Sequence, residues 1–268
     1  MAKKKIEPKF GWAPNPHAVN EVLSQLRNPV FGPCAYQIRG SGEGKVALLY
    51  KYVEKLIGNY NVRAQEIGDC VSFGAAAAVD AVKATEICVR GVLEEWVAET
   101  ATEPIYAASR VEIGRGELGT GDGSYGAWGA RAVKEIGTLV RIQYPDHDLR
   151  KYSGQRAYDW GLPRAGVPDD IEPTMREHPI RTVSLVTTYE EVRDAVANGY
   201  AVTIASATST WGRLALSGRS RRWEDLPGPA GRRRGAAAAQ APVGRRRGDG
   251  AAQSPVCRRR GAGTALGL

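Results

Sequence analysis

The 268-residue sequence carries 37 Lys and Arg against 29 Asp and Glu, a net charge of +8, and 43% of its residues are hydrophobic. This composition is ordinary for a globular protein, and no apolar run approaches the roughly 20 residues that cross a bilayer. We therefore expect a globular protein that does not contact a membrane, with one domain and an appendage or two small domains.

The positive charge is concentrated at the C-terminal end. Residues 1–206 contain 24 basic and 26 acidic residues, a net charge of −2, whereas residues 207–268 contain 13 arginines and 3 acidic residues, a net charge of +10. This tail lacks Ile, Lys, Tyr and Phe, and it repeats a 13-residue unit, GRRRGAAAAQAPV at 231–243 and GRRRGDGAAQSPV at 244–256. Such units bury too little apolar surface to fold, so we expect a disordered tail.

The four cysteines, Cys34, Cys70, Cys88 and Cys257, are widely spaced. They lack the close pairs of a zinc site and the density of a disulfide-rich secreted domain. We therefore expect reduced thiols in the cytoplasm, with no metal and no organic cofactor.

Apolar spacing predicts helices in the first half of the chain. Residues 1–45 are rich in Pro, Gly and Asn, and we assign them as an irregular N-terminal segment with one short helix at 18–26. Apolar residues three and four apart then predict helices at 46–57 and 71–89. The second of these follows Asp69, a favoured N-cap residue.

The pattern changes from helices to strands in the second half. It predicts helices and strands in this order: helices at 102–113 and 125–136 around a glycine-rich loop, strands at 138–142 and 181–186, a helix at 189–197 and a strand at 200–205. Helices first and strands later are typical of an α+β protein. We therefore expect one α+β domain over residues 46–206, followed by the tail at 207–268.

Cys70 stands where a thiol can become a nucleophile. The first N–H groups of a helix favour negative charge and lower the pKa of a thiol. The alternative is that Cys70 is a small buried residue where the helix packs. The run from Gln65 to Ala75, QEIGDCVSFGA, favours the nucleophile. It resembles the nucleophile segment of the papain family of cysteine peptidases, in which a glutamine shortly precedes a Gly-x-Cys that opens the long central helix.

Two later segments resemble the same family in the same order. The run GDGSYGAWGA at 121–130, followed by Tyr144 and Pro145, is similar to the family's glycine-rich substrate wall, helix and Tyr-Pro turn. Residues 188–205 are similar to the helix and strand that begin the family's sheet half. The resemblance spans residues 63–205 of this sequence.

The resemblance implies a papain-like α+β fold with a helical half, whose central helix begins at Cys70, and a truncated antiparallel sheet half. It implies that Cys70 is the nucleophile in peptide-bond hydrolysis and that Gln65 donates to the oxyanion. The implied substrate wall consists of Gly121, Asp122, Gly123, Ser124 and Tyr125. The expected partner is therefore a peptide or protein substrate.

The catalytic base of that family is missing from this chain. A cysteine nucleophile of this kind uses a histidine, which in the family follows the strand matched here by residues 201–205. The sequence has three histidines, His17, His147 and His178, and all precede that strand. We therefore expect little or no peptidase activity. The alternative function is a non-catalytic papain-like domain that binds a peptide.

The Arg-rich tail has two explanations. As a native segment it would be a cationic arm that binds nucleic acid weakly through phosphates. As the product of a shifted reading frame it would have no function, and Arg, Gly, Ala and Pro are the residues that GC-rich codons encode. The amino-acid sequence alone is consistent with both.

Overall fold

The computed structural model describes residues 15–60, 63–92 and 95–205, and the backbone of residues 263–267. The helices of this part of the chain are α1 (Pro16–Gln25), α2 (Phe31–Cys34), α3 (Tyr50–Ile57), α4 (Cys70–Arg90), α5 (Thr102–Ala108), α6 (Gly126–Glu135), α7 (Gly154–Trp160), α8 (Glu172–Arg176) and α9 (Tyr189–Ala197). The strands are β1 (Thr182–Val186), β2 (Ala201–Thr203) and β3 (Gly263–Gly267). A 3₁₀ turn occupies Tyr36–Ile38, and a π-helical turn, Ser109–Ile113, continues α5.

The 21-residue helix α4 lies at the centre of the helical part. Helices α3, α5 and α6 and strand β2 all pack against it. Its buried alanines, among them Ala75, Ala76 and Ala78, leave room for these neighbours. The helix ends at Gly91, whose φ of +63° is the left-handed conformation that glycine adopts readily. The helix predicted at 71–89 is therefore confirmed.

Helix α5 is buried along its whole length. Its Glu103 is fully buried and lies 3.2 Å from Arg141 and 3.5 Å from Arg156. A buried carboxylate needs such compensation. Apolar side chains from α4, α5, α6 and β1 pack together in the main hydrophobic core. They include Val79, Ile105, Trp128, Val133 and Val183.

The sheet is parallel, which corrects the antiparallel arrangement that the family resemblance implied. Strand β3 lies between β1 and β2 and pairs in parallel with both. Helix α9 connects β1 to β2, and a connecting helix lets two strands run in the same direction. Val30 adds a parallel bridge to Leu185 of β1, so the N-terminal segment also contacts this sheet.

The C-terminal tail contributes β3 to this sheet. The expected disorder of the tail otherwise concerns residues 207–262 and 268, which lie outside the described residues. No helix in the described part of the chain is both long and apolar enough to cross a membrane.

The predicted elements correspond to observed ones except for one strand, whereas α2, α7, α8 and β3 were not predicted. The other predicted helices correspond to α1, α3, α5 with its π-helical turn, α6 and α9, and two predicted strands correspond to β1 and β2. The strand predicted at 138–142 is wrong. There Val140 forms an isolated antiparallel bridge with Thr100. The hydrogen bonds to residues 99–101 are limited to this bridge, and the Thr138 N–H donates to the His178 carbonyl.

Candidate active site

Cys70 is the first residue of α4 and is half-buried. The chain bends at residues 66–68, and Asp69 takes the N-cap position, so the helix begins at the cysteine. No disulfide joins the cysteines of the described residues, Cys34, Cys70 and Cys88. The Cys70 thiol lies at the N-terminal end of a long helix, where backbone N–H groups favour negative charge.

Asp69 is fully buried next to Cys70 in the sequence. Its Oδ2 accepts a hydrogen bond from the Tyr152 hydroxyl at 2.9 Å, and its Oδ1 has no partner among the described residues. Burial raises the pKa of Asp69 to about 7, and the hydrogen bond from Tyr152 offsets part of this rise. The Asp69 side chain makes no capping hydrogen bond to α4. Because its pKa is raised to about 7, its charge changes near neutral pH.

Gln65, predicted to donate to the oxyanion, lies in the turn before α4. Its Nε2 donates to the carbonyl oxygen of Ile67 at 3.0 Å. The side-chain amide is thus held within its own turn. A role in stabilising an oxyanion requires this bond to open, and that role stays a prediction.

Asp122 joins the two sequence segments that were predicted to form the site. Its Oδ2 accepts the Gly68 N–H at 2.7 Å, two residues before Cys70. Its Oδ1 accepts the Tyr106 hydroxyl at 2.7 Å and the Gly123 N–H at 2.8 Å. The structure therefore brings the turn before α4 into direct contact with residues 119–125, which we call the glycine-rich segment.

The backbone of the glycine-rich segment is held from inside the protein. The carbonyl oxygens of Gly121 and Gly123 accept hydrogen bonds from the Arg110 guanidinium. The Gly123 N–H also lies 3.2 Å from the Tyr106 hydroxyl. Gly123 has a φ of +101°, which a residue with a Cβ rarely adopts, so this position requires glycine.

The last two residues of the predicted substrate wall pack inward as well. Ser124 is buried, and its hydroxyl forms a 2.9 Å hydrogen bond with the Ser109 hydroxyl. Tyr125 is the N-cap residue of α6, and its ring packs edge-on against Trp128, with the ring centroids 4.4 Å apart. The proposed contact of residues 121–125 with a substrate stays a prediction.

Arg110 is a site residue that the sequence did not reveal. It is buried in the π-helical turn Ser109–Ile113, within a segment predicted as a regular helix. Its Nε donates to the Gly161 carbonyl at 2.8 Å, while its terminal nitrogens reach the glycine-rich segment. π-Helical turns occur frequently at functional sites. The only signal in the sequence was the run of glycines that follows.

Tyr152 is a second residue that the sequence did not reveal. Its hydroxyl donates to Asp69 and accepts the Glu66 N–H at 3.3 Å. Its ring lies edge-on to Phe73, with the ring centroids 5.0 Å apart. Burial, followed by the charge of Asp69, raises the pKa of Tyr152 above its usual range, so the hydroxyl stays protonated. Tyr152 therefore contacts the chain on both sides of Cys70: the turn before it, through Asp69 and Glu66, and the first turn of α4, through Phe73.

Comparison with known proteins gives a weak likeness of fold. No protein-family model matches the chain, and no curated protein matches it. Among solved structures, xylellain, a cysteine protease from Xylella fastidiosa, is similar at 16% identity with a TM-score of 0.42. That match covers 75% of this chain and 67% of xylellain.

Strand β2 ends beside α4 at Gly74, close to the start of the helix. A Cβ placed on Gly74 would lie 3.8 Å from the Cγ2 of Thr203, and Gly74 lies one helical turn after Cys70. The Oγ1 of Thr203 is buried and has no partner among the described residues. The sequence that follows, residues 204–268, contains no histidine.

The three histidines lie upstream of β2 and have their own surroundings. The ring Nε2 of His147 hydrogen-bonds Asp170 at 3.1 Å, and the ring packs edge-on against Trp160. His17 and His178 are exposed. Within the residues that the structure describes, no three His, Cys, Asp or Glu side chains are arranged to hold a metal ion.

Proposed function

We propose that this chain carries the nucleophile part of a papain-like cysteine peptidase site. Cys70 supplies the thiolate, and a peptide lies along residues 121–125 of the glycine-rich segment. The observation that supports this is the 2.7 Å hydrogen bond from the Gly68 N–H to Oδ2 of Asp122. It joins the two segments that resemble the family's nucleophile turn and substrate wall.

In the proposed reaction the Cys70 thiolate attacks the carbonyl carbon of a peptide bond. The C–N bond then breaks, the leaving amine takes a proton from solvent water, and a thioester to Cys70 remains. Water hydrolyses the thioester to a carboxylic acid and returns the thiol. Gln65 stabilises the negative oxygen by donating from Nε2 after this group leaves the Ile67 carbonyl.

Turnover is expected to be slow because the family's histidine is missing. Proton transfer by a positioned side chain contributes typically about 10²–10⁴-fold to a reaction rate. The ring of His147 is engaged by Asp170, and no histidine follows β2. We therefore propose a thiol that reacts with activated peptide electrophiles but hydrolyses ordinary peptides little or not at all.

The test is labelling with a peptidyl epoxide at neutral pH, with the modified residue located by mass spectrometry. The Cys70→Ser variant should lose the label. Cys88→Ser is the matched control, because Cys88 lies in the same helix and is half-buried like Cys70. It should leave labelling unchanged. Preferential labelling of Cys34 or Cys88 in the wild-type chain would contradict the proposal.

A second candidate is peptide binding without catalysis, and the histidines favour it. The ring of His147 is engaged by Asp170, while His17 is exposed in α1 and His178 is exposed in the bend after α8. In this case the epoxide labels neither the wild-type chain nor Cys70→Ser, and both bind a peptide with the same affinity in a fluorescence anisotropy titration.

Weak binding of nucleic acid by the tail is a separate part of this second proposal. The 13 arginines of residues 207–268 would contact phosphates, so the affinity should fall steeply as salt rises. The test replaces the Arg triplets at 232–234, 245–247 and 258–260 by glutamine and titrates a labelled single-stranded oligonucleotide. Equal binding by both chains at low salt would contradict it.

A further inference from the structure

The Arg110 side chain is buried beneath the glycine-rich segment, with 2% of the residue exposed. Its guanidinium donates to the carbonyl oxygens of four glycines, Gly119 at 3.0 Å, Gly121 at 2.6 Å, Gly161 at 2.8 Å and Gly123. The Cζ of Arg110 lies 5.2 Å from the centroid of the Tyr106 ring. Carbonyl dipoles and an aromatic face therefore surround this cation.

A buried guanidinium constrains the backbone that it contacts. Burying a cation is unfavourable unless its donors are satisfied, and the five N–H groups of arginine form a rigid planar fork. The acceptors must therefore lie at fixed directions around Arg110. Because Gly119, Gly121 and Gly123 supply three of them, this side chain determines how their carbonyl groups point.

The same arrangement extends to the residues before Cys70. The Tyr106 ring that faces Arg110 carries the hydroxyl that donates to Oδ1 of Asp122 at 2.7 Å. Oδ2 of Asp122 accepts the Gly68 N–H at 2.7 Å. A continuous set of contacts thus runs from Arg110 through Tyr106 and Asp122 to a residue two positions before Cys70.

We infer that Arg110 is a positioning residue for peptide binding at the proposed site. It turns the carbonyl groups of the glycine-rich segment inward and so sets which side of residues 119–123 faces a peptide. Asp122 holds this segment in register with Cys70. The inference rests on the proposed function, because it assigns the segment a role in binding the peptide that Cys70 attacks.

The test compares two reagents on the full-length chain. A peptidyl epoxide needs the peptide-binding surface, whereas iodoacetamide needs only the Cys70 thiol. Arg110→Lys keeps the charge but cannot reach all four carbonyl groups. We expect it to slow epoxide labelling about tenfold or more, through weaker reversible binding, since small misplacements have large effects on positioned reactions. Labelling by iodoacetamide should change less than about twofold.

Two further variants complete the experiment. Arg115→Lys is the matched control, because Arg115 lies two residues after the π-helical turn that contains Arg110 but is exposed, and it should match the wild-type chain with both reagents. Tyr106→Phe removes only the hydroxyl that reaches Asp122, and it should slow the epoxide in the same selective way. If Arg110→Lys does not fold, Tyr106→Phe carries the test.

The outcomes separate the inference from the proposed function. If the wild-type chain shows no preference of Cys70 for the epoxide, the proposed function fails, and the peptide-binding role of Arg110 fails with it. If the epoxide labels Cys70 of the wild-type chain, and if it labels Arg110→Lys and Tyr106→Phe just as fast, only the inference is overturned. Equal slowing of labelling by both reagents in Arg110→Lys would also overturn it, because Arg110 would then affect the reactivity of the Cys70 thiol and not the binding of the peptide.

Discussion

The Gly68 N–H donates to Oδ2 of Asp122 at 2.7 Å, across 54 residues of sequence. The same carboxylate accepts the Tyr106 hydroxyl and the Gly123 N–H. One side chain thus holds three donors, from the turn before α4, from α5 and from the glycine-rich segment. Asp122 therefore links these three elements through one side chain.

Replacing Asp122 tests this link. Asp122→Ala should lower the free energy of unfolding by about 2–4 kcal/mol, because several donors lose their acceptor. Asp122→Asn keeps one acceptor oxygen and should lose less. Urea denaturation measures both changes. Asp146→Ala is the control, since Asp146 is exposed, and it should stay within about 0.5 kcal/mol of the wild-type chain. Equal stability of the two alanine variants would contradict the role of Asp122.

The buried carboxyl of Asp69 should make stability depend on pH. Burial raises its pKa to about 7 in the folded chain, against about 3.9 when unfolded. Between these values the folded state binds more protons, so its stability falls as pH rises from about 4 to 7. Asp69→Asn cannot ionise. Its free energy of unfolding relative to wild type should therefore increase by about 2–3 kcal/mol from pH 5 to pH 7.

The control for this pH effect is Asp148→Asn. A hydrogen bond from the Arg150 side chain holds the pKa of Asp148 below its usual range, and the carboxyl is exposed. Asp148 is ionised in both the folded and unfolded chain above pH 5, so this variant should keep the wild-type pH profile. Urea denaturation at pH 5, 6, 7 and 8 gives the comparison. Parallel profiles for Asp69→Asn and wild type would refute the assignment.

Local pattern was enough to predict the elements that have strong periodicity. Helix α4 follows its apolar spacing from end to end, and α9 begins at the Thr188 cap, whose hydroxyl accepts the Glu191 N–H. The helix predicted at 46–57 starts four residues later, and Val46 is exposed. The apolar character of Val46 extended the pattern beyond the helix.

The site could be predicted only in part, because its geometry depends on contacts between distant residues. The sequence placed Cys70 at the start of a helix, and the structure confirms that position. It did not indicate that Arg110 is buried or that Tyr152 reaches Asp69, 83 residues away. A buried arginine inside an apolar helix pattern is indistinguishable in sequence from one that faces solvent.

Close packing between α4 and α6 provides a third prediction. A Cβ on Gly129 would lie 2.5 Å from Cγ1 of Val71, the residue after Cys70. Overpacking costs about 1–3 kcal/mol, whereas Ala is favoured over Gly in a helix by about 1 kcal/mol. Gly129→Ala should therefore lower the free energy of unfolding by about 0–2 kcal/mol.

A double-mutant cycle isolates this contact. Val71→Ala removes the methyl groups that the new Cβ would meet, so the double variant should be more stable than the sum of the single changes by about 1 kcal/mol or more. The four chains are compared by urea denaturation. Strict additivity would show that Val71 moves aside without loss and that the two helices are not tightly packed beside Cys70.

The fourth prediction concerns β3, because β1 and β2 both pair with it. Ala265 lies opposite Ser184 of β1 and Val202 of β2. Ala265→Pro removes the backbone N–H of a central strand and should lower the free energy of unfolding by about 3 kcal/mol. Ala265→Gly keeps the N–H and should lower it by only about 0.5–1 kcal/mol.

Urea denaturation, with amide hydrogen exchange of β1 as a second readout, distinguishes these outcomes. Faster exchange at residues 182–186 in Ala265→Pro alone would show that the C-terminal strand stabilises the sheet. A chain segment read in the wrong frame has no reason to complete a sheet, so this result would favour a native tail. Equal stability of the proline and glycine variants would mean that β1 and β2 do not depend on β3, and the shifted reading frame would then be the better explanation.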